Sequence, residues 1–113
     1  MSEQYQELVA GLHAISSCPF AENGWTSRPN VTTYGVVALE YEPDALHGDD
    51  LKVARAFEGS VDLFSKRKDG EGFVRAVEHV LTEICEGCWH FNSHQWERNE
   101  GLFHWEWVFQ VED

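Results

Sequence analysis

A chain of 113 residues is the usual size of one domain, and residues 1–113 are expected to form a single one whose core needs no disulfide or metal. A hydrophobic fraction of 42%, with five Trp, seven Phe and three Tyr, excludes the composition of a disordered chain. Twenty acidic against eight basic residues give a net charge of -12 and a pI near 4.7, which argues against phosphate backbones as specific ligands.

No apolar run approaches the roughly 18 residues of a membrane span. Met1 to Glu7 lacks the basic start and apolar centre of a signal peptide. The expectation is a protein made in the bacterial cytoplasm, where Cys18, Cys85 and Cys88 stay reduced; an odd cysteine count also argues against a disulfide framework.

Ser2 is placed to cap a first helix, along which Tyr5, Leu8, Val9, Leu12 and Ile15 recur at three- and four-residue spacing. Gly11 within it costs about 1 kcal/mol relative to Ala. Pro19 ends the helix region, and Phe20 to Thr33 reads as a loop holding at most a short strand, with turn chemistry at Asn23-Gly24 and Arg28-Pro29-Asn30. Tyr34 to Tyr41 alternates two apolar sets, as a strand contacted on both faces does. A connection containing Asp44, Asp49 and Asp50, read as a solvated acidic loop, leads to a long strand over about Leu51 to Phe64 with a bulge expected at Gly59.

Asp69 is the expected N-cap of a second helix, with Phe73, Val77, Val80, Leu81, Ile84 and Cys88 on its apolar side. The final third is aromatic: Trp89, Phe91 and Trp96, a turn at Arg98 to Gly101, then Phe103, Trp105, Trp107, Phe109 and Val111 at every second residue. That period of two is a strand. The order helix, strand, strand, helix, hairpin predicts an α+β two-layer sandwich, with an antiparallel sheet of about four strands and two helices on one face.

The helix around Gln4 to Ile15, the Phe20 to Trp25 segment, the strand at Tyr34 to Glu42, the "V-D-L-F-S-K-R-K-D" strand end and the final "F-H-W-E-W-V-F-Q-V" strand together resemble the tail-terminator and tail-completion proteins of long-tailed phages. The resemblance covers most of the chain as a pattern. It implies a non-enzymatic virion protein of a phage tail or neck, without cofactor, that closes a homo-oligomeric ring of six subunits. Such a ring contacts the tail-tube protein on one side and the head connector on the other, while DNA passes through its centre without specific binding. An acidic chain suits that passage, because like charge keeps phosphates off the wall.

Cys85, Cys88, His90 and His94 are the ligand types of tetrahedral zinc, but a single residue separates the Cys pair from His90 where small zinc sites use about a dozen. On a regular strand His90 and His94 share a face. The alternative to a metal site is a buried Cys88, a partly exposed Cys85 and two surface histidines. The same Cys pair closes a helix, whose negative end disfavours thiolates, so it is a poor redox centre. His13, His47, His79 and His104 are scattered single residues.

The Trp-rich strand is either core under the second helix or an interface. Trp105, Trp107, Tyr34 and Arg55 are the candidate interface residues. The rival to the tail reading is an acidic immunity or antitoxin-like module that blocks a basic partner.

Overall fold

The computed structural model describes residues 3–22, 31–41 and 56–112. Ser2, Arg55, the turn residues 23–30, the acidic connection around Asp44 to Asp50 and the expected strand start at Leu51 lie outside the described residues.

Helix α1 spans Glu3–His13, and Tyr5, Leu8 and Leu12 form its buried stripe. Glu3 in the first turn and His13 in the last complement the helix dipole. Beyond His13, the amides of Ala14 and Ile15 still donate to the carbonyls of Ala10 and Leu12, and Ser17 at φ 66° turns the chain out ahead of Pro19.

Strand β1 (Phe20–Glu22) pairs parallel with β2 (Thr33–Tyr41), which pairs antiparallel with β3 (Ala56–Ser65). The bulge lies on β2 instead of at Gly59: Leu39 faces Gly59 and Tyr41 faces Glu58, so Glu40 is the extra residue. Gly59 answers a different need, because a Cβ there would run into the Ala38 carbonyl oxygen and the Phe109 ring.

Asp69 does cap a turn, but not the helix. Its Oδ1 accepts from the Glu71 amide at 2.9 Å and opens a short 3-10 turn, Gly70–Gly72. Glu71 (φ 57°) and Gly72 (φ 83°) then take left-handed backbone, so α2 begins only at Phe73 and runs Phe73–Cys85. Val77, Leu81 and Cys85, four apart, are its buried stripe. Cys88 falls beyond the helix. Gly11 of α1 faces Val80 of α2 so closely that an added Cβ would sit 2.8 Å from Val80 Cγ1, and this close approach accounts for a glycine inside α1.

The hairpin follows as β4 (Trp89–Glu97) and β5 (Leu102–Glu112). The sheet order is β1-β2-β3-β5-β4, so the hairpin attaches through its second strand and β4 is left at an edge. The fold is α+β as expected, with α1 and α2 contributing to one core with the sheet, but among the described residues that sheet has five strands and is mixed, because β1 adds a parallel edge. Val37, Val61, Leu63, Trp107, Phe109 and Val111 supply the sheet side of that core at 2% exposure or less. Each buried side chain of this size contributes about 1.5–3 kcal/mol. Gln4 ties the layers at one end: its Nε2 donates to the Ile84 carbonyl and its Oε1 accepts from the Glu112 amide, both at 2.7 Å.

Candidate functional site

Residues opposite one another on neighbouring strands share a face. The row away from the helices therefore contains Tyr34 of β2, Phe64 of β3 and His104 of β5. Their rings stack in sequence, with centroids 5.1 Å apart for Tyr34 and Phe64 and 4.3 Å for Phe64 and His104.

His104 is clamped at both nitrogens. Nε2 lies 2.7 Å from Asp62 Oδ1, and Nδ1 lies 2.9 Å from Glu97 Oε2. Ionised carboxylates only accept, so the arrangement suits a ring that is protonated, and donates, at both nitrogens. Burial, the largest single influence, works against that charge; the hydrogen bonds and charges of Asp62 and Glu97 together outweigh it and raise the His104 pKa above its ordinary 6.5. The hydrogen bond from His104, reinforced by one from Gln95, in turn lowers the Glu97 pKa below 4.5. With both nitrogens engaged, His104 has no basic site to offer a substrate. It serves instead as a cross-strand clamp joining β3, β5 and β4.

Around this clamp the open face is acidic. Ser60 Oγ donates to Glu40 Oε2 at 3.0 Å, and Asn92 Nδ2 donates to Glu106 Oε1 at 3.0 Å. Glu58, Asp62 and Glu97 add further carboxylates. Sequence reasoning missed the clamp because Asp62 is 42 residues from His104. The hairpin alone could have suggested Glu97, which sits diagonally across from His104 once the turn at 98–101 is set.

The face under the helices extends past their cover at β4. Trp89, Phe91, His94 and Trp96 lie opposite Phe109, Trp107, Trp105 and Phe103. His94 lies flat on Trp105, with centroids 4.6 Å apart and planes within 8°. Phe91 meets Trp107 edge-on, and Trp96 meets Phe103 at 4.6 Å. Phe91 at 46% and Trp96 at 51% are the exposed large hydrophobics among the described residues.

The candidate zinc residues do not converge. A bulge between Phe91 and Ser93 makes Asn92 an extra residue on β4 and reverses the alternation there. His90 therefore pairs with Val108 on the open face while His94 pairs with Trp105 on the helix face, contrary to the shared face expected of a regular strand. The cysteines are also reversed from expectation: Cys85, last in α2, is buried at 1% exposure, and Cys88 in the following turn is exposed. Burial, with the nearby Cys88, pushes the Cys85 thiol up to about 12. Among the described residues, no group of three or more His, Cys, Asp or Glu is placed to hold a metal ion.

Of the candidate interface residues, Trp105 at 5% and Trp107 at 0% exposure belong to the core between sheet and helices, and Tyr34 at 5% is covered on the open face. Arg55 lies outside the described residues. An open depression of about 540 Å³ lies where α1 begins and α2 and β5 end; it is lined by Glu3, Glu7, Glu86 and Glu112 with Cys88, a set suited to repelling anions. No described helix is long and apolar enough to cross a membrane.

No family model matches this sequence, and comparison with curated proteins finds no match. Among solved structures, a chain from the virion of a native gene transfer agent particle is similar, with a TM-score of 0.52 over 98% of this chain and 93% of that chain, at 14% identity. At that identity the likeness is one of fold, and it extends over nearly the whole of both chains.

Proposed function

We propose that this protein is a non-enzymatic structural subunit of a phage or phage-like particle, a ring-forming tail terminator or completion protein at the head-tail junction. The observation that carries the reading is the end-to-end likeness of fold to a chain of a gene transfer agent virion. In the assembled ring, the tail-tube protein and the head connector are its neighbours and DNA passes through the centre. The open sheet face supports this use, since Glu40, Glu58, Asp62 and Glu106 would keep phosphates from adhering to a lumen that they lined. His104, engaged at both nitrogens, favours a structural role over a catalytic one.

Native mass spectrometry and electron microscopy of the purified protein, alone and with tail tubes, test the proposal. Closed rings of six, seated at tube ends, are the expected result. A chain that forms no ring under either condition, or that instead binds a basic toxin or nuclease one to one, would replace this reading with the immunity-protein alternative.

A further inference from the structure

Helix α2 ends at Cys85, and the Cys88 amide donates back to the Cys85 carbonyl at 2.8 Å, so Cys85-Glu86-Gly87-Cys88 is a closed four-residue turn. Glu86 opens it at φ 55° and ψ -115°, the backbone of a turn that favours Gly in this place. A strained residue of this kind persists only where its flanks are held. On one flank Cys85 is buried at 1% exposure, and on the other the Cys88 carbonyl accepts from the Gln110 amide of β5 at 2.9 Å. The outer residues of such a turn lie less than about 7 Å apart at Cα. A disulfide spans roughly 4.4–6.8 Å between the same atoms. Both cysteines also line the depression where α2 and β5 end, which gives a small reagent a way in, and Cys88 is exposed.

We propose that Cys85 and Cys88 are a redox-sensitive pair that closes into a disulfide across this turn and fastens the end of α2 to the start of β4. The oxidant is a low-molecular-weight disulfide such as oxidised glutathione. Cys88, the exposed thiol, loses its proton and attacks one sulfur of that disulfide; the small disulfide's bond breaks, and one small thiol leaves with a proton. Cys85 then loses its proton and attacks Cys88 Sγ in the mixed disulfide, forming the Sγ–Sγ bond and releasing the second small thiol. The protein gives up two electrons and two protons, and the oxidant gains them. Burial and the neighbouring Cys88 hold the Cys85 thiol protonated, the reverse of the thiolate stabilisation that makes catalytic disulfides easy to reduce. The pair is therefore a poor catalyst and a durable fastening. A reducing cytosol keeps it open, and an oxidising exterior closes it. A particle that leaves the cell crosses that boundary, but the chemistry does not depend on the tail reading.

The experiment equilibrates the full chain with mixtures of reduced and oxidised glutathione, folded in buffer and unfolded in urea, then reads intact mass and alkylated thiols after acid quenching. Wild type and Cys88→Ser are compared, and circular dichroism checks that each is folded in buffer. The folded wild type is expected to lose two hydrogens and two of its three free thiols, leaving Cys18, with Cys85 joined to Cys88 in a peptide map. The mixture that leaves half the pairs closed should be at least about tenfold more reducing in buffer than in urea, because a fold that holds the two sulfurs together favours the bond. Cys88→Ser should show no such loss. A folded chain that stops at a glutathione adduct on Cys88, joins a second copy through it, or closes no more readily than the unfolded chain would overturn the proposal. Ring formation is measured separately and is decided by neither result.

Discussion

The indole nitrogen of Trp107 donates to Glu78 Oε2 at 2.8 Å, so a ring with 0% exposure at the centre of β5 is pinned to the flank of α2 by a carboxylate. This bond fixes how the second helix lies on the sheet. Glu78→Leu strands the buried donor and should cost about 1–3 kcal/mol, whereas Glu78→Gln retains an acceptor and should cost less. Trp107→Ala should cost about 3–5 kcal/mol through the cavity it leaves. Urea unfolding midpoints measure all three, and equal midpoints for the Leu and Gln variants would show that the bond carries no stability.

The clamp on His104 makes stability depend on pH in two opposite ways. Its folded-state pKa is raised, so its contribution is complete below the unfolded value near 6.5 and is lost as pH rises through the folded pKa. The Glu97 pKa is lowered, so that contribution is present above 4.5 and is lost as pH falls through its folded value. An NMR titration of the His104 ring should therefore show a midpoint above 6.5 in the wild type and a lower one in Glu97→Gln. A midpoint that does not move on this substitution would remove Glu97 from the clamp.

Two glycines should respond differently to alanine. At Gly59 the new methyl meets the Ala38 carbonyl oxygen, part of a paired backbone that cannot withdraw without opening the β2–β3 ladder. At Gly11 it meets a Val80 methyl at 2.8 Å, and the helix gains about 1 kcal/mol of propensity in return. Gly59→Ala is expected to lower the thermal midpoint by more than Gly11→Ala does; the reverse order would mean that the helix contact is the tighter of the two.

Thiol reactivity should divide one to two. Cys88 is exposed, whereas Cys18 and Cys85 are buried, with thiols pushed up to about 12 by burial and, respectively, by the nearby Glu71 and Cys88. A chromogenic disulfide reagent should titrate one thiol in the native protein and three after unfolding. Rapid reaction at two native thiols would show that the end of α2 opens readily.

A further expectation concerns the hydroxyl relay beneath the 3-10 turn. The Arg67 amide donates to Ser65 Oγ at 2.9 Å, and Thr33 Oγ1 lies 2.8 Å from Ser65 Oγ and donates to Glu71 Oε1 at 2.7 Å. The carboxylate can only accept, which fixes the direction of donation from Ser65 to Thr33 to Glu71. Thr33→Val keeps the shape and breaks the relay, leaving buried Ser65 without its acceptor, and should cost about 1–3 kcal/mol in chemical denaturation. An unchanged midpoint would mean that the 3-10 turn is held by its backbone alone.

Periodicity made the helices and the last strand legible, because a buried stripe repeats its chemistry along the chain: Tyr5, Leu8 and Leu12 in one case, Trp105, Trp107 and Phe109 in another. Features set by a single residue against a distant partner were not legible. Gly59 signals a bulge or a close approach equally well, and only the Ala38 carbonyl decides between them. Asp69 has the chemistry of a helix cap, but the left-handed Glu71 and Gly72 come between it and the helix. The short parallel β1 has too few residues to show a period, and its three pairings come entirely from β2. At the candidate site, the sequence made the aromatic strand visible but not the His104 clamp, whose Asp62 and Glu97 come from strands on either side of β5.

The extra residue on β4 shapes that edge without deciding which side chains face the helices. Shortening the strand by Asn92 alone would leave Phe91 opposite Trp107 and Ser93 opposite Glu106, closing the bulge into a regular ladder with every pairing kept. Trp89 and Phe91 would stay on the aromatic side and His90 on the acidic side, while the hydrogen bond from Asn92 to Glu106 would be lost. The inserted residue therefore sets the local bend of the edge and the cover over one carboxylate, a change of contour and not of chemistry.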